Sequence, residues 1–168
     1  MANNKRLLSI DDLREMVENS PFMNYPDNQF VMFNIPGKPR AKARPRFTQK
    51  GHAYTPGNTT EYENWVRDCY FREYGTEREM LKGELVAELV AYFPIAESKS
   101  KGTKQLMEED QIRPKSRPDL DNIAKAVLAA LNQIAYKDDS QVVALKVEKK
   151  YAHEPRVEVL IHERHLIQ

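Results

Sequence analysis

Arg117-Pro118-Asp119-Leu120-Asp121-Asn122-Ile123-Ala124-Lys125 opens the pattern that organises this chain of 168 residues. Pro118 pushes Arg117 into extended backbone, so a helix begins just after it. Leu120, Ile123, Val127, Leu131 and Ile134 then form one apolar stripe at helical spacing, widened by Ala124, Leu128 and Ala135. The spacing predicts a main helix from Asp119 to about Ala135. Two carboxylates, Asp119 and Asp121, stand at its start, and Lys125 follows one turn after the second. Another acid pair, Asp138-Asp139, lies just past its end.

Around this helix the chain reads as alternating strands and helices. Strands are predicted over Gln29 to Ile35, Leu85 to Phe93, Gln141 to Tyr151 and Arg156 to His162, with Ala152–Pro155 joining the last two. Arg46-Phe47-Thr48 and His52-Ala53-Tyr54 flank Gln49-Lys50-Gly51 as a small hairpin. A second helix is expected from Thr59 or Thr60 to about Tyr74, with Tyr62, Trp65, Val66 and Cys69 inward and Gly75 as its stop. Residues 96–117 are polar, and mobility with at most a helical turn near Lys104–Glu109 is expected there. Residues 1–28 read as an N-terminal extension, in which Ser9 can cap a short helix to about Val17; residues 29–168 form the main domain. The fold expected is α/β of the α+β kind: a small mixed or antiparallel sheet packed on one long and one shorter helix.

Composition narrows the function classes. Charged residues make up 30% and apolar ones 40%, as in a soluble globular protein, and no membrane span or secretion leader is expected. The single cysteine, Cys69, excludes an internal disulfide and a cysteine-based zinc site, and points to a reducing, cytoplasmic setting. His52, His153, His162 and His165 have no close ligand spacing and read as surface histidines. Net charge is only +1, but residues 36–50, PGKPRAKARPRFTQK, hold six basic residues and no acid. Lys38, Arg40, Lys42, Arg44 and Arg46 alternate with Pro39, Ala41, Ala43 and Pro45. In an extended chain those five cations share one side, where they can follow a phosphate backbone. The bland alternative is a solvated loop.

The acidic cluster also has two readings. Asp119 is a natural N-cap, Asp121 suits the positive end of the helix dipole, and Lys125 could simply pair with Asp121. Alternatively, a helix start holds Asp119 and Asp121 steady enough to bind one Mg²⁺, with Mn²⁺ as a substitute, while Lys125 stabilises charge on a phosphate and Asn122 orients a ligand or water.

Residues 117–143, RPDLDNIAKAVLAALNQIAYKDDSQVV, resemble the core motif of the RusA family of Holliday junction resolvases. That motif is an Asp-Leu-Asp-Asn start, a lysine four residues after the second Asp, an amphipathic helix, then an aromatic shortly before Asp-Asp and a Val-rich strand. Asp119, Leu120, Asp121, Asn122, Lys125, Tyr136, Asp138 and Asp139 fill it in order. The third essential acid of the family matches Asp139, with Asp138 secondary. The family often carries a basic residue directly before the first Asp; Pro118 stands there, and Arg117, one position back, is counted with the DNA-contacting residues. Residues 1–28 and 96–112 have no clear counterpart. The resemblance implies a dimeric Mg²⁺-dependent endonuclease of bacteria or their phages, making symmetric paired nicks in four-way DNA junctions during recombination and repair. Asp119, Asp121 and Asp139 would hold the metal, and Lys125 would assist at the phosphate. A nuclease acting on flaps or forks is the runner-up, and a non-catalytic DNA-binding protein is the rival from another class.

A helix from Asp119 to Ala135 would be about 25 Å long. One chain could not easily place its two acidic ends on one ion unless the connection folds back sharply. Two antiparallel copies of the helix across a two-fold axis would bring them together, so a homodimer is expected; the alternative is an ordinary buried helix in a monomer.

Overall fold

The computed structural model describes residues 27–42, 46–47, 49–54 and 57–164. The predicted helix from Ser9 to Val17, Arg44 and His165 lie outside them. Four strands form the main sheet: β1 (Phe30–Pro36), β4 (Leu85–Pro94), β5 (Val142–Ala152) and β6 (Arg156–Glu163). Their order is β1-β6-β4-β5. β6 runs antiparallel to both β1 and β4, whereas β4 and β5 are parallel, so the sheet is mixed. The small hairpin forms as predicted, with β2 (Arg46–Phe47) pairing β3 (Ala53–Tyr54).

Parallel neighbours need a crossover. It is built from α2 (Lys101–Glu108) and α3 (Leu120–Ala130). The remaining helix, α1 (Gly57–Tyr74), packs beside α3. Alternation along the strands sends Val31, Phe33 and Ile35, Ala87, Leu89 and Ala91, and Val157, Val159 and Ile161 into one core. There they meet Tyr62, Val66 and Tyr70 of α1 and Ile123 and Val127 of α3. Cys69 is buried as expected, and burial pushes its thiol pKa up.

Three expectations need correction. The main helix is not the long one: α1 has 18 residues, whereas α3 has 11 and spans about 16 Å. Leu131, Ala135 and Tyr136 remain fully buried after α3 ends, but in a turn. Periodicity cannot separate a buried turn from another helical turn. Gln133 takes a positive φ of 63°, and its amide donates to the Tyr136 carbonyl. The terminal carbonyls of α3 find side-chain donors instead of more helix: Arg67 Nε donates to Ala130 O at 2.9 Å, and Tyr136 Oη to Leu128 O at 2.7 Å.

The second correction is α2, which stands where mobility was expected. Ser100 caps it by accepting from the Thr103 amide, and Met107 is buried beneath it. Polar contacts then bind the segment to β5: Arg113 pairs with Asp110 at 2.6 Å and with Glu148 at 3.2 Å, and Lys150 stands 3.6 Å from Asp110. Burial alone would raise the Asp110 pKa, yet the Arg113 and Lys150 contacts hold it below the usual value. A polar sequence was ordered here by partners far away in the chain. The third is His162, which is buried on β6 rather than lying on the surface.

Tyr136→Phe is expected to lower unfolding stability by about 1 kcal/mol, the net value of one hydrogen bond. The effect stays modest because the Leu131 amide also donates to Leu128 O. A urea midpoint unchanged by the substitution would show that the bond does not hold the turn.

Candidate active site and nucleic-acid interface

The start of α3 carries the first acid pair. Asp119 occupies the N-cap position with extended backbone (φ −73°, ψ 153°), but its side chain makes no capping hydrogen bond. Asp121 and Lys125 are exposed on the next turn and form no ion pair with each other. The bland reading holds only for Asp121, which does lie in the first turn of the helix; the side-chain cap and the surface pair are absent, and the carboxylates have no hydrogen-bonding or ionic partner among the described residues. Arg117 is likewise exposed, preceding a cis bond to Pro118.

The second acid pair behaves differently. Asp138 caps a short 3-10 turn, Asp139–Gln141, by accepting from the Ser140 amide at 2.8 Å. Gln141 Oε1 reaches back to the amides of Lys137 and Asp138, while its Nε2 donates to Gly83 O. Hydrogen bonds from Ser140 hold the Asp138 carboxyl below the usual range. Asp139, its neighbour, is half-buried and has no side-chain partner among the described residues. Both acids lie close enough to Tyr136 to add to the rise in its pKa, which burial drives first.

The basic arm leads from the sheet to the acidic helix start. Gly37, at φ +106°, turns the chain out of β1, and its amide bonds Pro155 O. Lys38 and Arg40 are exposed on either side of buried Pro39, as alternation predicts. Lys42 then reaches α3: its amide donates to Asn122 O at 3.2 Å, one residue from Asp121. Its side chain departs from the expected row. Nζ stands 3.1 Å from Glu63 Oε1 on α1, an ion pair by distance though not aligned as a hydrogen bond. Arg44 lies outside the described residues, and of Arg46 only the backbone, in β2, is described.

The three acids of the motif are not brought together by one chain. Asp119 and Asp121 start α3, whereas Asp139 follows the turn tied to its far end. Among the described residues no group of three His, Cys, Asp or Glu is placed to hold a metal. The donors are all carboxylate oxygens, the chemistry a hard divalent cation takes. Asp119 and Asp121 fit as two ligands of such an ion, with a third to come from elsewhere.

The sequence reading missed one feature. Trp65 and Tyr62 were placed on the inner side of α1, but with Lys38, Arg40 and Glu61 they also line a cavity of about 250 Å³. Trp65 Nε1 donates to Pro36 O at 2.8 Å, and the Arg72 guanidinium stands 5.0 Å from its ring centre. Tyr62 is 6% exposed. Its hydroxyl is buried without a partner of good geometry. Burial pushes its pKa up to about 12, although the nearby Arg40 backbone opposes the rise. The signal available in the sequence was the i, i+3 aromatic pair following a basic segment.

The sequence model described as endodeoxyribonuclease RusA matches residues 36–162. A curated relative, the uncharacterized protein YqaN of Bacillus subtilis (strain 168), is 37% identical over 138 residues, covering 79% of this chain and 96% of the relative.

The cap formed by Asp138 has a pH signature. Its folded pKa lies below the unfolded value of about 3.9, so its stabilising contribution is present above that value and fades as pH falls through the folded one. Carboxyl NMR of the folded protein is expected to place the Asp138 midpoint below the ordinary aspartate range. A midpoint at or above that range would mean that the cap does not form.

Proposed function

The chain belongs to the RusA family of endodeoxyribonucleases, and on that footing we propose that it resolves four-way DNA junctions by paired symmetric nicks, with Asp119, Asp121 and Asp139 as metal ligands. The family acts on branched DNA, and Holliday junction resolution is the activity it implies. One observation supports the residue assignment above the others. The three motif acids have no partner among the described residues, while Asp138 beside them is held in a cap. Carboxylates serving architecture are expected to be hydrogen-bonded; these are not.

Mg²⁺, when bound, would supply the positive charge that activates water and offsets negative charge building on the phosphate. The protein's own groups orient the substrate. Lys38 and Arg40 present exposed cations to the phosphate backbone, and Lys125, one turn from Asp121, can offset charge on the scissile phosphate. Lys42 acts on this reading by pinning the arm, through Asn122 O and Glu63, beside the acids.

A homodimer completes the site. In one chain α3 separates Asp121 from the acidic turn by about 14 Å of helix. A second copy running antiparallel would bring its own Asp139 to the Asp119–Asp121 end. β5 favours such pairing. It lies at the edge of the sheet, and Val143 and Leu145 on it are 54% and 48% exposed. Large apolar side chains on an open edge strand are a liability unless covered. No helix among the described residues is long and apolar enough to cross a membrane, and a cytoplasmic site of action fits a DNA substrate.

Asp119→Asn, Asp121→Asn and Asp139→Asn are each expected to lower Mg²⁺-dependent cleavage of a synthetic four-way junction by about 100-fold or more while sparing binding. Asp138→Asn, whose amide oxygen can still accept from Ser140, should cleave at close to the parent rate. Equal loss in all four would remove the distinction drawn between the two neighbours. Binding without any metal-dependent nicking by the parent protein would leave a DNA-binding protein, and cleavage restricted to flaps or forks would move the substrate.

Mixing inactive Asp121→Asn with inactive Asp139→Asn under subunit exchange tests the shared site. Each heterodimer then has one site with both lesions and one with neither, so single nicking should return. If exchange is confirmed and no nicking returns, each site belongs to one chain.

A further inference from the structure

We infer that the cavity between the start of the basic arm and α1 binds one unpaired nucleotide of the DNA substrate; this rests on the reading of the protein as acting on branched DNA. At about 250 Å³ the cavity is smaller than the usual drug-sized site, and a duplex cannot enter it. A single flipped or unpaired base is the part of DNA that matches this scale.

The lining suits such a guest group by group. Lys38 and Arg40 are exposed, where they can take the flanking phosphates. Trp65 contributes its ring, because its indole N–H already donates to Pro36 O. That bond and the Arg72 guanidinium hold the ring in place, so it forms a prepared surface for a base. Glu61 is a carboxylate acceptor on the same cavity, and it also opposes a phosphate entering deeply. Every base carries an N–H donor on its Watson–Crick edge, and that edge is available only when the base is unpaired. Tyr62 completes the wall: its side chain lines the cavity, while its hydroxyl is shielded beside the Arg40 backbone without a hydrogen bond of good geometry.

Position gives the cavity a role. Arg40 is two residues, at most about 7 Å of extended chain, from Lys42. The Lys42 amide bonds Asn122 beside Asp121. A nucleotide held by Arg40 and Trp65 therefore lies within a short stretch of strand from the acidic helix start. Seating a base that pairing has released at a branch point would fix which phosphate reaches the acids.

Trp65 is the sole tryptophan of the chain, so its emission reports on the cavity without a label. The experiment titrates the full chain, without divalent metal, with single-stranded trinucleotides and with a duplex of matching sequence. The trinucleotides are expected to quench Trp65 saturably at one per chain; the duplex should not. Lys38→Gln with Arg40→Gln should weaken trinucleotide binding about tenfold or more, whereas Glu61→Gln, which keeps an acceptor oxygen and removes the charge opposing phosphate, should bind at least as tightly as the parent. Circular dichroism confirms that each variant is folded. Equal quenching by trinucleotide and duplex, or parent affinity in the folded Lys38→Gln, Arg40→Gln variant, would overturn the pocket. Junction cleavage by the parent protein, measured separately with Mg²⁺, reports on the nuclease reading, so the two ideas fail independently.

Discussion

Where α3 stops decides the layout of this protein. Its last carbonyls are taken by Tyr136 Oη and Arg67 Nε, one from the turn that follows and one from α1. A helix end buried without donors would leave several polar groups unsatisfied. With them, the chain can reverse at Gln133, bury the Tyr136 ring and enter β5 beside β4. The acidic turn preceding β5 is thereby held at one end of α3, and the Asp119–Asp121 pair at the other. The parallel pairing of β4 and β5 demands this arrangement, because the crossover helix must run back along the sheet.

Within that frame the charged side chains divide into two groups. Asp110 with Arg113 and Lys150, Asp138 with Ser140, and Glu63 with Lys42 serve architecture: each holds a loop to a helix, a strand or its own turn. Asp119, Asp121 and Asp139 have no such partner among the described residues. Two neighbouring carboxylates of the same type, Asp138 and Asp139, thus differ: one is held in a cap and the other has no side-chain partner among the described residues. The difference lies in which oxygen meets the Ser140 amide. The basic arm shows the same division: Lys38 and Arg40 face outward while Lys42, two residues on, is tied to α1.

Much of this was legible in the residue order. Runs of β-forming residues bounded by turn signals located all four strands of the main sheet and the small hairpin to within a residue or two, and the three-and-four spacing of Tyr62, Val66 and Cys69 found α1. The ordered run from Asp119 to Asp139 carried the family resemblance, because residue types at set intervals are a local property of the chain. The strand-like alternation of Lys38, Pro39 and Arg40 was equally readable, since extended backbone has period two.

What local pattern could not decide depended on partners distant in sequence. The apolar stripe ran through Leu131 and Ile134 to Ala135, yet α3 ended at Ala130. A buried turn and a buried helix both demand apolar side chains, and the deciding donor, Arg67, lies 63 residues away. The polar stretch before Arg117 read as mobile, although β5 supplies Glu148 and Lys150 to order it. The cavity bounded by Trp65, Tyr62 and Arg40 arises where α1 packs against the end of β1, a contact that includes the bond from the Trp65 indole to Pro36 O. Sequence by itself determined the elements and the residue types fit for phosphate chemistry. Tertiary structure decided which of those residues are held by a neighbour and which have no partner among the described residues, because hydrogen bonds and ion pairs form between groups close in space.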